Sequence, residues 1–119
     1  MRLIHETTEQ SGLMGGKSYV VSVRVEPDAM ESRVLQSGYS VYDTLKLGDK
    51  FADIKGFNSL GYIDASDLIG RDKAFKFSTI QLAGDFISML KKELGGFKDQ
   101  IVSTANEIEA LGRRYEVEI

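Results

Sequence analysis

A chain of 119 residues suits one compact domain, expected to span residues 1–119. Hydrophobic residues at 42% and charged residues at 28% are ordinary for a soluble globular protein and argue against general disorder. A net charge of −3 speaks against a general attraction to nucleic acid, and the lack of cysteine excludes disulfides and thiolate metal sites.

No apolar run approaches the length of a bilayer-spanning helix. Residues Met1 to Gln10 include Arg2, His5, Glu6 and Glu9 and lack the apolar centre of a signal peptide. A cytoplasmic protein with no membrane partner is therefore expected. The only adjacent basic pairs, Lys91-Lys92 and Arg113-Arg114, fall near helix ends, where the helix dipole accounts for them.

In chain order, residues 2–8 read as a strand of ambiguous face, with Leu3, His5 and Thr7 on one side and Ile4 and Glu6 on the other. Gln10 to Gly16 is a glycine-rich connection. The clearest strand is 17–26, where Tyr19, Val21, Val23 and Val25 alternate with polar or smaller residues. The two segments are expected to form a hairpin. Pro27 ends the strand because it has no amide proton for a ladder. Asp28 can cap a short helix carrying Met30, Val34 and Leu35, with Gly38 as its stop.

Residues 39–46 are rich in Tyr, Val and Thr and are expected to be a strand, although Ser40 or Asp43 could instead open a helix. Gly48-Asp49 reads as a turn, and 51–61 as irregular. Tyr62-Ile63 fits a short strand, 64–69 a helical turn, and 73–77 a strand. Ser78 and Gln81 have capping-box spacing. Ala83, Phe86, Ile87, Leu90 and Leu94 then form one apolar helical stripe, and Phe97, Ile101, Ala105, Ile108 and Leu111 a second. Gly95-Gly96 predicts a break between two helices. Arg114 to Ile119 alternates Tyr115, Val117 and Ile119 with charged residues and predicts a final strand.

These elements predict an α+β fold. Its mainly antiparallel sheet has strands near 2–8, 17–26, 39–46, 73–77 and 114–119. Two C-terminal helices pack on one face, and the short C-terminal strand returns into the sheet. Exposed terminal strands and the modest size of the domain also suggest a homodimer.

Motifs for catalysis are weak. Gly15-Gly16-Lys17-Ser18 resembles the end of a phosphate-binding loop, but Ser11 stands where the earlier glycine belongs. A strand pattern follows where a helix is needed. Ser88 and Lys91 have the Ser-x-x-Lys spacing of some acyl-transfer enzymes, but no companion motif accompanies them. His5, the single histidine, could act as a base or join Asp64 and Asp67 at a metal, yet no spacing unites them. Asp43, Asp49 and Asp53 do not follow calcium-loop spacing. No metal or other cofactor is expected.

Tyr39, Tyr42, Phe57 and Tyr62 cluster among Gly and Asp in the least regular third of the chain. They are the candidate binding residues, because aromatic rings beside carboxylates suit a cationic partner. The alternative is that these rings cover the open side of the sheet. The expected function is a non-enzymatic acidic interaction protein of inhibitor, immunity or accessory type. The alternatives are a small-ligand-binding domain with a pocket between sheet and helices and, behind it, a small enzyme using His5.

Overall fold

The structure, a computed structural model, describes residues 1–114 and 116–119. Strands β1 (Arg2–Ser11) and β2 (Lys17–Glu26) form an antiparallel hairpin with unbroken register from Arg2↔Glu26 to Ser11↔Lys17. Between them, the Gly12 amide donates to the Gly16 carbonyl at 2.6 Å, and Gly15 takes a positive φ of 79°. Such a turn favours glycine.

Helix α1 (Ala29–Gln36) follows, then β3 (Thr44–Lys46), β4 (Tyr62–Asp64), β5 (Lys73–Phe77) and helix α2 (Ile80–Ala110). The larger sheet has order β1-β2-β5, and β3 and β4 pair separately; every ladder is antiparallel. The α+β class is therefore as expected. The molecule is long, 76 × 25 × 20 Å.

Alternation along β2 buries Val21, Val23 and Val25, and β5 adds Phe75 and Phe77 to the same face. Helix α2 covers that face with Ala83, Phe86, Ile87, Leu90, Leu94, Phe97 and Ile101, all buried. Each such large apolar side chain contributes roughly 1.5–3 kcal/mol when removed from water. The helical stripe and the period-two strand together set the phase of the core.

Asp28 caps α1 as expected. Its carboxylate accepts from the Glu31 amide at 2.8 Å, and Glu31 Oε1 accepts from the Asp28 amide at 2.9 Å, a complete capping box. Glu31 is fully buried, and Oε1 also lies 2.7 Å from the α-amino group of Met1. The backbone hydrogen bond from Glu31 is the main cause that holds the Asp28 carboxyl below its ordinary value.

Four expectations are corrected. First, α2 runs unbroken through Gly95-Gly96, so the two C-terminal helices are one of 31 residues. Glycine tolerates a stop without imposing one. Leu90, Leu94, Phe97 and Ile101 stay in one buried stripe across the pair, and that burial outweighs a cost of roughly 1 kcal/mol per glycine. Second, the helix is capped by Thr79, whose hydroxyl accepts from the Leu82 amide at 3.0 Å. β5 pairs as far as Phe77↔Tyr19, and the first turn opens one residue later than the Ser78 capping box required.

Third, only Thr44–Lys46 of the expected 39–46 strand is paired. Its partner β4 has three residues, and the Asp43 carbonyl accepts from the Ala65 amide at 2.7 Å, which closes the ladder. Fourth, residues 114 and 116–119 form no strand, and Val117 and Ile119 are exposed; Tyr115 lies outside the described residues. The helix runs unbroken to Ala110, and none of the described residues after it joins a sheet.

Three substitutions test this packing. Leu90→Ala should cost roughly 2–5 kcal/mol, with a matching fall in melting temperature, whereas exposed Lys92→Ala should change little. Gly95→Ala should raise stability by roughly 1 kcal/mol, because a Cβ there meets open space and the backbone is helical. If Gly95→Ala lowers the melting temperature, the continuous helix is wrong.

The Asp28 cap makes a pH prediction. A carboxyl lowered in the folded state stabilises fully above its unfolded value of 3.8, and the contribution is lost as pH falls through the folded value. The melting temperature of Asp28→Ala should lie below the parent's at neutral pH and converge with it in strong acid. A gap independent of pH would show that the carboxylate charge does not matter at this cap.

Candidate functional site

The β3–β4 pair has two unlike faces. Leu45 and Ile63, directly paired, are buried. On the other face, Tyr42, Thr44 and Lys46 follow at period two, with Tyr62 across from Lys46. These four side chains form one wall of an open groove of about 630 Å³. Gly48, Asp49 and Leu60 come from the 47–61 connection, and Met89 comes from α2.

The connection is long but pinned. The amides of Leu47 and Gly48 both donate to the Gly61 carbonyl, at 3.0 and 3.2 Å. Phe51 is fully buried within a 3-10 turn at Asp49–Phe51, and Phe57 stacks on it at 5.6 Å. Lys50 Nζ reaches Asp85 of α2 at 2.9 Å. The Lys46 amide donates to Glu93 Oε1 of α2 at 2.7 Å, which satisfies a group on the open edge of β3.

Gly61 is the tightest point. It is buried, has φ 72°, and a Cβ there would fall 2.0 Å from the Gly48 carbonyl oxygen. Only glycine allows the two ends of the connection to meet so closely.

The groove walls are apolar and aromatic with one cation, Lys46, and one carboxylate, Asp49. Tyr42 is 57% and Leu60 72% exposed. Thr44 Oγ1 donates to Asp64 Oδ1 at 3.4 Å, so that carboxylate is engaged beside the groove.

Of the four residues singled out in the sequence, Tyr42 and Tyr62 meet in the groove. Phe57 instead joins the core, with ring centroids 4.9 Å from Phe75 and 5.7 Å from Phe86. Tyr39 is exposed after α1, its amide 3.4 Å from Ser37 Oγ, and does not line the groove. Lys46, Leu60 and Met89 escaped the sequence reading. The period-two run Tyr42-Thr44-Lys46 carried a signal for Lys46, but Leu60 and Met89 arrive from a loop and a distant helix.

The other candidates stay apart. His5 is exposed on β1 opposite Val23. Among the described residues, no group of three or more His, Asp or Glu side chains comes close enough to hold a metal ion. Lys17 opens β2, so no helix N-terminus meets the Gly15-Gly16 turn, and its Nζ lies 3.3 Å from Glu9. Ser88 and Lys91 are exposed on α2. No described helix is long and apolar enough to cross a membrane.

No protein-family model, curated protein or solved structure matches the chain. The groove must therefore be read from its own chemistry.

Gly61→Ala tests how the groove is held. Backbone strain alone should cost roughly 1–3 kcal/mol, and overlap with the Gly48 carbonyl adds to it. Thermal melting should show the loss, and nuclear magnetic resonance shifts of Tyr42 and Tyr62 should move together. Unchanged stability would contradict the close Gly48–Gly61 approach.

Proposed function

We propose that this chain is a non-enzymatic interaction protein that receives an apolar side chain of a protein partner in the groove between Tyr42, Leu60 and Tyr62. The observation that carries the reading is an open apolar groove on a pinned frame. Tyr42 and Leu60 stand exposed at it, beside a frame held by the Gly48–Gly61 contact, the Lys50–Asp85 ion pair and the Lys46–Glu93 hydrogen bond. Rigid aromatic anchors with little entropy to lose are what interface hot spots are made of.

The charges refine the partner. Lys46 and Asp49 bracket the apolar surface, and the chain as a whole is acidic. A partner segment with an aliphatic or aromatic residue flanked by a basic one fits this pattern. A second reading, a small-molecule site, rests on the volume of about 630 Å³, which falls in the usual range for ligand pockets. The exposure of the walls favours the first, because a small ligand there would stay partly in water.

Affinity capture from the native host, with mass spectrometry of both proteins and small molecules, tests the reading. The parent and Tyr39→Ala should retain one protein that the Tyr42→Ala/Leu60→Ala double variant loses, by roughly tenfold or more for two hot-spot truncations. A small molecule lost in the same way would favour the second reading. Equal capture by all three proteins would reject the groove.

A further inference from the structure

Strand β1 is an edge strand with one free side. Among the described residues its ten residues pair only with β2, and the third strand of the sheet, β5, lies on the far side of β2. Long free edges are normally blunted by proline, lysine or a bulge. β1 contains neither proline nor lysine, and its register to β2 is continuous over its whole length. Arg2, Glu6 and Glu9 are its charged residues, and the edge is otherwise a continuous, bulge-free template for another strand.

We propose that β1 pairs antiparallel with β1 of a second copy of this chain, about a two-fold axis at Thr7, to form one six-stranded sheet. The axis must stand perpendicular to the sheet, so each residue faces one of the same parity. That leaves few registers. An axis at Glu6 sets two carboxylates directly opposite each other, and an axis at His5 sets Ile4 against Glu6. An axis at Ile4 overlaps only five residues of each strand. An axis at Thr7 gives the longest overlap of these that avoids facing carboxylates, residues 3–11: Thr7 meets Thr7, Glu6 meets Thr8, His5 meets Glu9 twice, and Ile4 and Leu3 meet the uncharged Gln10 and Ser11. Cross-strand Thr–Thr and charge-complementary pairs are the stabilising units of a sheet.

The side chains are free to do this. His5, Thr7 and Glu9 lie on the face shared with Val23, Val21 and Tyr19, yet all three are exposed. Glu9 uses only Oε1 for Lys17 Nζ and for the Tyr19 hydroxyl, so Oε2 remains for a His5 N–H. None of these residues belongs to the groove, so the two proposals stand or fall separately.

Sedimentation equilibrium of the full chain, from low to high micromolar, tests the pairing. The parent should be dimeric. His5→Glu places carboxylates against Glu9 and should raise the dissociation constant roughly tenfold or more. Ser59→Glu, which adds a carboxylate at an exposed loop position away from β1, should not. His5→Glu/Glu9→Lys should regain the parent value. Thr7→Lys, which sets two cations at the axis, should also dissociate the dimer, and circular dichroism should show each variant folded. A parent that stays monomeric overturns the proposal. So does a dimer indifferent to both His5→Glu and Thr7→Lys, or a charge-swapped double variant as weak as His5→Glu.

Discussion

The packing of Phe86 is the contact on which the rest of the structure depends. Its ring lies 5.0 Å from Phe75, 5.1 Å from Phe77, 5.7 Å from Phe57 and 6.1 Å from Phe51. One side chain of α2 thus touches the sheet through β5 and the groove frame through the 47–61 connection. Aromatic pairs of this kind add about 0.5–1.5 kcal/mol each beyond the area they bury. The helix adds to the direct Phe57–Phe75 and Phe51–Phe77 contacts in making the three-stranded sheet and the two-stranded one a single core. Without it the β3–β4 pair, three residues to a strand, is too short to persist alone.

The same arrangement explains which parts of the sequence were legible. Where a local period meets a uniform environment, residues announce their place. Val21, Val23 and Val25 do so at period two, and Ala83 through Leu94 do so at helical spacing. Asp28 was readable, since a capping residue acts within one turn, but its reciprocal partner Glu31 was not. Gly95-Gly96 misled because glycine marks permission for a stop, and the decision rests with Phe97 and Ile101, whose burial is a tertiary fact. Residues 39–43 misled in a different way. Their Tyr and Val have strand character, but strand character needs a partner, and β4 ends at Asp64. Phe57 looked like a surface ring because its neighbours are glycine and asparagine. Only Phe51, Phe75 and Phe86, distant in the chain, show that it is core.

The groove follows from the division of labour inside the 47–61 connection. Phe51 and Phe57 turn inward and hold the loop, which leaves Leu60 and Tyr62 to line the groove with Tyr42. Gly61 approaches the Gly48 carbonyl so closely that a Cβ at Gly61 would overlap it. The groove is therefore pinned by backbone and side-chain contacts, although it is built from short strands and a long loop. At the opposite extreme, β1 gains its length from the hairpin alone, and His5, Thr7 and Glu9 stay exposed on the face they share with Val23, Val21 and Tyr19. A well-supported groove and an unsupported edge are two consequences of one helix covering only part of the sheet.

Native-state hydrogen exchange in the parent and in Phe86→Leu tests this dependence most directly. The amides to follow are those of Leu47 and Gly48, bonded to Gly61, and of Leu90 within α2. If Phe86 couples the groove frame to the helix, the variant should lose protection at all three sites by a similar factor. Parent-like protection at Leu47 and Gly48, with loss confined to Leu90, would show that the groove stands independently of the helix and would contradict the account.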